Sequence, residues 1–209
     1  MIFVTGTGTE VGKTWFAART LEVLRRADVP VAARKPAQSF APNELGRTDA
    51  EILGAARGAP AATVGPRHRW YPVPMAPPMA AEVLSSPAFS IADLAAEIAP
   101  AADGALMIVE GAGGPRSPFA SDGDGVDLAR ALAVETIVLV ADAGLGTINA
   151  VRLCADALRG FQLVVALNRF DPADDLHARN RSWLAGAGFE LLTDPQSLAA
   201  RLHPSAGSR

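Results

Sequence analysis

Short apolar runs alternate with stretches of helical periodicity along this chain. The runs are nearly continuous rather than alternating, as expected of strands covered on both faces of a parallel sheet. Strands are predicted at 2–6 (IFVTG), 30–36 (PVAARKP), 105–111 (ALMIVEG), 136–142 (TIVLVAD) and 163–168 (LVVALN), with a weaker one at 189–193 (FELLT). Helical patterns cover roughly 13–26, 48–57, 79–86, 90–99, 125–134, 147–159, 175–187 and 195–202. Regular strand–helix alternation implies right-handed crossovers and an α/β fold, a mostly parallel sheet with helices on both faces. With no repeat, charge run or linker to divide it, the whole of 1–209 reads as one domain. The segment GPRHRWYPVPMAPPMAAE (65–82) departs from the pattern: its prolines at 66, 72, 74, 77 and 78 exclude a helix interior or a central strand. It reads as an ordered connection or a lid.

The first predicted strand runs into VTGTGTEVGKT (4–14), with a helix beginning near Lys13. A glycine-rich turn between a strand and a helix lets backbone N–H groups surround a phosphate at the positive helix terminus. Lys13 then reaches the β- and γ-phosphates and the Thr14 hydroxyl is a candidate Mg²⁺ ligand. The strict spacing would place a glycine at position 7, where this chain has Thr7 between Gly6 and Gly8, so the loop is a variant.

A magnesium site also needs carboxylates from elsewhere, because Mg²⁺ takes oxygen ligands and leaves much of its shell to phosphate and water. Glu110 closes the apolar run LMIVE just before GAGG, at the carboxyl edge of a strand, where open α/β sheets bind ligands. Asp49 opens the helix in GRTDAEIL, a position that also suits a capping acid. Lys35 ends the second strand, and Pro36 keeps it extended, with Ser39 four positions on. The turn in ADAGLGTINAVRL starts a helix near Thr147–Asn149, whose terminus is a ready anion site. Asn168 ends another strand, where its amide can read a base edge or serve a turn.

Composition narrows the function classes. The 19 Lys+Arg are scattered among 22 Asp+Glu, a net charge of −3 without a basic stripe, so nucleic acid is not an expected partner. Cys154 is the one cysteine, and it reads as a small buried apolar residue in a reducing compartment. No run of about 18 apolar residues is present and no leader pattern opens the chain, so a cytoplasmic protein with no membrane partner is expected. His68, His177 and His203 lack metal-site spacing.

Taken in order, GTGTEVGKT, RKPAQS, RTDAEIL, VEGAGG, GLGTIN and LNR resemble the ATP-dependent dethiobiotin synthetases, over residues 1 to about 170. The resemblance implies a P-loop NTPase fold and a homodimeric ligase of biotin biosynthesis. Such an enzyme uses ATP and Mg²⁺ to close a ureido ring on 7,8-diaminopelargonate with CO₂. It implies that Gly8, Thr9, Glu10, Val11, Gly12, Lys13 and Thr14 hold the nucleotide phosphates and Asn168 the adenine. Thr14, Asp49 and Glu110 would be the metal ligands, and Lys13, Lys35 and Thr9 the catalytic groups around γ-phosphate and carbamate. Ser39 and the Gly111, Ala112, Gly113, Gly114 turn would face the substrate, and Gly146, Thr147, Ile148 and Asn149 would cap its distant carboxylate from a second subunit. Two other readings fit part of the pattern: a paralogue that activates another carboxylate or carbamate, and a partitioning-type switch ATPase. The latter class uses a further lysine early in the phosphate loop, where this chain has Gly6 and Thr7. After GAGG the chain continues PRSPFASDGDG, with Arg116 and two aspartates where the family is usually apolar.

Overall fold

In a computed structural model, residues 1–42, 46–98, 100–101 and 104–203 are described. Along the chain these form β1 (Ile2–Gly6), α1 (Lys13–Arg26), β2 (Val31–Arg34), β3 (Gln38–Ser39), α2 (Asp49–Arg57), β4 (Trp70–Tyr71), α3 (Pro77–Val83) and α4 (Ile91–Glu97). There follow β5 (Leu106–Glu110), β6 (Pro118–Ala120), β7 (Gly123–Asp124), α5 (Gly125–Ala131), β8 (Thr136–Asp142), α6 (Thr147–Ala157), β9 (Gln162–Asn168), α7 (Asp175–Gly186), β10 (Glu190–Leu192) and α8 (Pro195–Leu202).

Six strands make the central sheet in the order β10-β9-β8-β1-β5-β2, every neighbouring pair parallel. Alternation along each strand divides the core in two. Phe3, Ile137, Leu139, Val165 and Leu167 face one layer with Leu94, Leu128, Val151 and Leu184 of α4 to α7. Ile2, Val4, Val138, Val140 and Ala166 face the other with Phe16 and Leu21 of α1, Leu53 of α2 and Leu198 of α8. Helices therefore cover both faces, and all six strands end at one edge. The chain moves to one side of β1 for β2 and β5, then to the other for β8, β9 and β10. Thus β1 stands where the strand order reverses, the position at which open α/β sheets bind ligands.

The strands at 2–6 and 136–142 and the helices at 13–26 and 195–202 end where the apolar pattern ends. Other elements are shorter than their patterns. The predicted helix 90–99 closes at Glu97, with residue 99 outside the described set, and 125–134 closes at Ala131. Two small sheets have no periodicity to betray them: β3 with β4, parallel, and β6 with β7, antiparallel. The proline-rich segment is not a plain connection. It supplies β4 and then enters α3 through Pro77 and Pro78, because the first helical turn needs no backbone donor from them. Among the described residues no helix is long and apolar enough to cross a membrane.

Candidate active site

The phosphate loop leaves β1 at Gly6, with Thr7 N–H donating to Val140 O of the neighbouring β8 at 2.9 Å. Gly12, at φ 89°, caps α1, and a side chain there would collide with the Asn168 amide. That left-handed, crowded position explains the glycine. The end of β9 grips the loop from outside: Asn168 Nδ2 donates to Val11 O at 2.9 Å and Arg169 Nη2 to Glu10 O at 2.9 Å. Arg169 is itself tethered to Asp142 at 2.7 Å. Asn168, the residue expected to read the base, thus has one amide hydrogen already given to the loop backbone. Lys13, almost fully buried, curls back to donate to Gly8 O at 2.7 Å.

Behind the loop, four residues from two strand ends and two helix starts converge. Thr14 Oγ1 lies 2.8 Å from Asp49 Oδ1 and 2.7 Å from Glu110 Oε1. Lys35 Nζ lies 2.6 Å from Asp49 Oδ2, 2.6 Å from Glu110 Oε1 and 3.0 Å from Gly111 O. Glu110 is wholly buried and Lys35 nearly so. Asp49 is held in place by the first turn of α2, where the Thr48 side chain accepts from Glu51 N–H and the Glu51 carboxylate accepts from Thr48 N–H in return.

These charges act on one another. Burial alone would lower the Lys35 ammonium, yet the Asp49 and Glu110 carboxylates outweigh it and hold Lys35 above the ordinary lysine range. Burial would raise Asp49, and Lys35 pulls it below the usual carboxylate range instead. Glu110 stays raised, by burial and by the Asp49 charge, in spite of Lys35. Burial and the charge on Lys35 bring Lys13 down to about 8. Lys35 is therefore paired with both carboxylates at once, and Glu110, the one held raised, is the group that a further cation would relieve.

The donor set suits Mg²⁺. Thr14 has one hydroxyl proton to offer two carboxylates, and Glu110 Oε2 is buried without a hydrogen-bond partner. A hydroxyl and two carboxylates are hard oxygen ligands, too few to saturate an ion, which leaves room for phosphate and water. Among the described residues no group of three or more His, Cys, Asp or Glu side chains forms a site independent of a nucleotide.

The cluster floors a cleft of about 900 Å³ lined by Thr9, Glu10, Gly12, Lys13, Thr14, Lys35, Ser39 and Asp49 among the expected residues, with Ala112 and Gly113. Ser39 Oγ donates to Met75 O at 2.5 Å, so the proline-rich segment forms the opposite wall with Pro74, Met75, Ala76 and Pro77. Gln38, Arg47, Ser117 and Arg169 also line it and were not expected, although Gln38, Arg47 and Arg169 lie within RKPAQS, RTDAEIL and LNR. Gly111 and Gly114 instead shape the turn: Gly111 N–H donates to Val4 O at 2.9 Å and Gly114 N–H to Ser117 Oγ at 2.9 Å. Arg116 points elsewhere, to Asp124 at 2.9 Å. Gly146, Thr147, Ile148 and Asn149 lie outside the cleft, at the start of α6, with Asn149 exposed and the Thr147 hydroxyl buried without a partner.

The chain is similar to known proteins over most of its length. A family model described as an AAA domain matches residues 1–183. An ATP-dependent dethiobiotin synthetase from Anaeromyxobacter dehalogenans is 39% identical over 180 residues, covering 83% of this chain and 78% of that one. Another from Streptomyces avermitilis is 40% identical over 203 residues, covering 90% and 81%. A solved nucleotide-binding protein from Archaeoglobus fulgidus, in complex with ADP, aligns over 99% of this chain and 86% of that one at 11% identity and a TM-score of 0.46, a likeness too distant to bear on function.

Proposed function

This chain belongs to the ATP-dependent dethiobiotin synthetase family, and from that premise we propose how its cleft carries out the ATP-dependent ring closure of 7,8-diaminopelargonate with CO₂, a step of biotin biosynthesis. The observation that carries the reading is the convergence of Lys35, Thr14, Asp49 and Glu110 directly behind the phosphate loop.

Glycine-rich backbone from Gly8 to Gly12 surrounds the triphosphate, and Lys13 exchanges its bond to Gly8 O for the β- and γ-phosphates. Thr14, Asp49 and Glu110 hold Mg²⁺, which supplies charge neutralisation to the phosphates when bound. One amine of the diamine takes up CO₂ as a carbamate, losing a proton. A carbamate oxygen then accepts the γ-phosphoryl group as the bond to ADP breaks, giving a carbamic–phosphoric anhydride. The second amine attacks its carbonyl carbon, the bond to phosphate breaks, and a cyclic urea forms with loss of a proton. Two anions must meet for this to happen, so Lys13 and Lys35 work by position and charge rather than as nucleophiles. Thr9 and Ser39, which both line the cleft, hydrogen-bond the carbamate and amines, beside the Gly111–Gly114 turn. Asn168 spends one amide hydrogen on Val11 O and has its remaining groups for adenine.

The chain functions as one domain and as a homodimer, in the cytoplasm and without nucleic acid. The Gly146–Asn149 segment of a second subunit caps the carboxylate at the far end of the diamine. The exposure of Leu145 (91%), Leu153 (63%) and Trp183 (46%) beside that segment supports a subunit contact there. The test is phosphate release with ATP, Mg²⁺ and bicarbonate, with and without the diamine, and mass detection of the product. Diamine-dependent release with one added carbonyl is expected; hydrolysis indifferent to the diamine would move the chain to a paralogous substrate.

A further inference from the structure

Gln38 is a buried polar side chain in the cleft wall to which the reaction above gives no part. It lies on β3, between Lys35 and Ser39, and is 2% exposed. Its Oε1 accepts from the Ala50 N–H at 3.0 Å. Ala50 is the second residue of α2, and its N–H is one of the first-turn donors that find no partner within a helix. The next donor, Glu51 N–H, is taken by Thr48 Oγ1. Two successive N–H groups are therefore tied down, one by the helix's own cap and one by a side chain reaching from the strand after Lys35. The turn so fixed carries Asp49, whose two oxygens meet Thr14 and Lys35.

Chemistry sets the orientation of the carboxamide. The Ala50 group is a donor, so the amide oxygen must face it and the nitrogen must face elsewhere. That nitrogen, Nε2, is buried and has no hydrogen-bond partner. A buried donor without an acceptor is costly, and the cost is relieved when an acceptor arrives. Triphosphate and carbamate bring the cleft many anionic oxygens.

We propose that Gln38 is a positioning residue of this site, its Oε1 holding the first turn of α2 and thereby Asp49 in line with Thr14 and Glu110, and its Nε2 donating to a phosphate or carbamate oxygen that enters the cleft. The inference rests on the reading of the cleft given above. Gln38→Met keeps the length and removes both functions; Gln38→Glu keeps an acceptor for Ala50 and removes the donor. Mn²⁺ binding, followed by electron paramagnetic resonance with a non-hydrolysable ATP analogue, is measured alongside thermal unfolding and diamine-dependent phosphate release. Gln38→Met is expected to weaken Mn²⁺ binding about tenfold, the effect of losing a group that orients a metal ligand. Gln38→Glu should bind Mn²⁺ nearly as the wild type while its turnover falls. Wild-type Mn²⁺ affinity in Gln38→Met, even with a lowered melting temperature, overturns the proposal and makes Gln38 a structural residue. Should the wild type release no phosphate in response to the diamine, the assigned reaction fails, and the Mn²⁺ titration still decides the part played by Gln38.

Discussion

Two stretches at the same edge of the sheet are built on opposite terms. On the β1, β5 and β2 side, Lys35 and Glu110 are buried, Asp49 and Thr14 are half-buried, and the four are bonded to one another, so the site is largely assembled before any ligand arrives. Beyond β8, the start of α6 has an exposed Asn149, an exposed Leu145 and a Thr147 hydroxyl without a partner. The first region is completed by its own chain. The second presents exposed side chains, to which the proposal above gives a partner in a second subunit. Charge buried in one chain costs too much to leave unpaired, whereas exposed neutral groups can wait at little cost.

The sharpest way to break this contrast is to empty the first region of its cation. Lys35→Met keeps the apolar stem and leaves Asp49 and Glu110 facing each other in a buried space. Removing one partner of a buried ion pair typically costs about 3–5 kcal/mol of stability, and losing a charge-stabilising group costs on the order of 10²–10³ in turnover. Denaturant unfolding and diamine-dependent phosphate release measure the two. A variant of near wild-type turnover would remove Lys35 from the reaction, and one of unchanged stability would mean that the carboxylates do not need it.

The same contrast governs what could be read in the sequence. Lys13, Lys35, Asp49 and Glu110 were legible because each is a charged residue at an element boundary flanked by apolar or glycine-rich sequence. A fold that ends all its parallel strands at one edge brings such positions together. Gln38 and Arg169 were not legible, since a glutamine within KPAQS and an arginine after an asparagine carry no periodic or charge signature. Their roles come from reaching a backbone group of a distant element, Ala50 in one case and Glu10 in the other. The strands β3, β4, β6 and β7 were missed for a related reason: at two or three residues each they are too short for a period of two to show.

A smaller effect separates the two lysines of the site by titration. Lys13 faces Lys35, Glu110 and Asp49, and burial with the Lys35 charge brings it to about 8. Lys35 is held charged and Asp49 ionised above that value, so Lys13 is the lysine that changes charge there. Below pH 8 it is already protonated, and binding a triphosphate takes up no proton. Above pH 8 the phosphates must bind with a proton for Lys13, so affinity falls as pH rises, approaching tenfold per pH unit. The dissociation constant of a non-hydrolysable ATP analogue between pH 7 and 10 checks this. A flat profile would mean that Lys13 stays charged beside Lys35.

The mildest change probes the second region, and it discriminates best because it touches nothing in the first. Asn149 lies on an exposed turn, outside the cleft and away from the ion cluster, so Asn149→Ala should leave folding, the pH profile and the KM for ATP as they are. If Asn149 of one subunit donates to the substrate's far carboxylate in the other, its loss removes one hydrogen bond to a charged group. Such a bond is worth about 1.5–3 kcal/mol, so the KM for the diamine should rise roughly tenfold or somewhat more with kcat little altered. The carboxylate takes no part in the chemistry, and binding lost equally from ground and transition states appears in KM alone. A diamine shortened to lack the carboxylate should then show no difference between wild type and variant. An unchanged KM with the full substrate would place the carboxylate elsewhere, and a fall in kcat would mean that the α6 turn shapes the cleft and that the two regions are not separate.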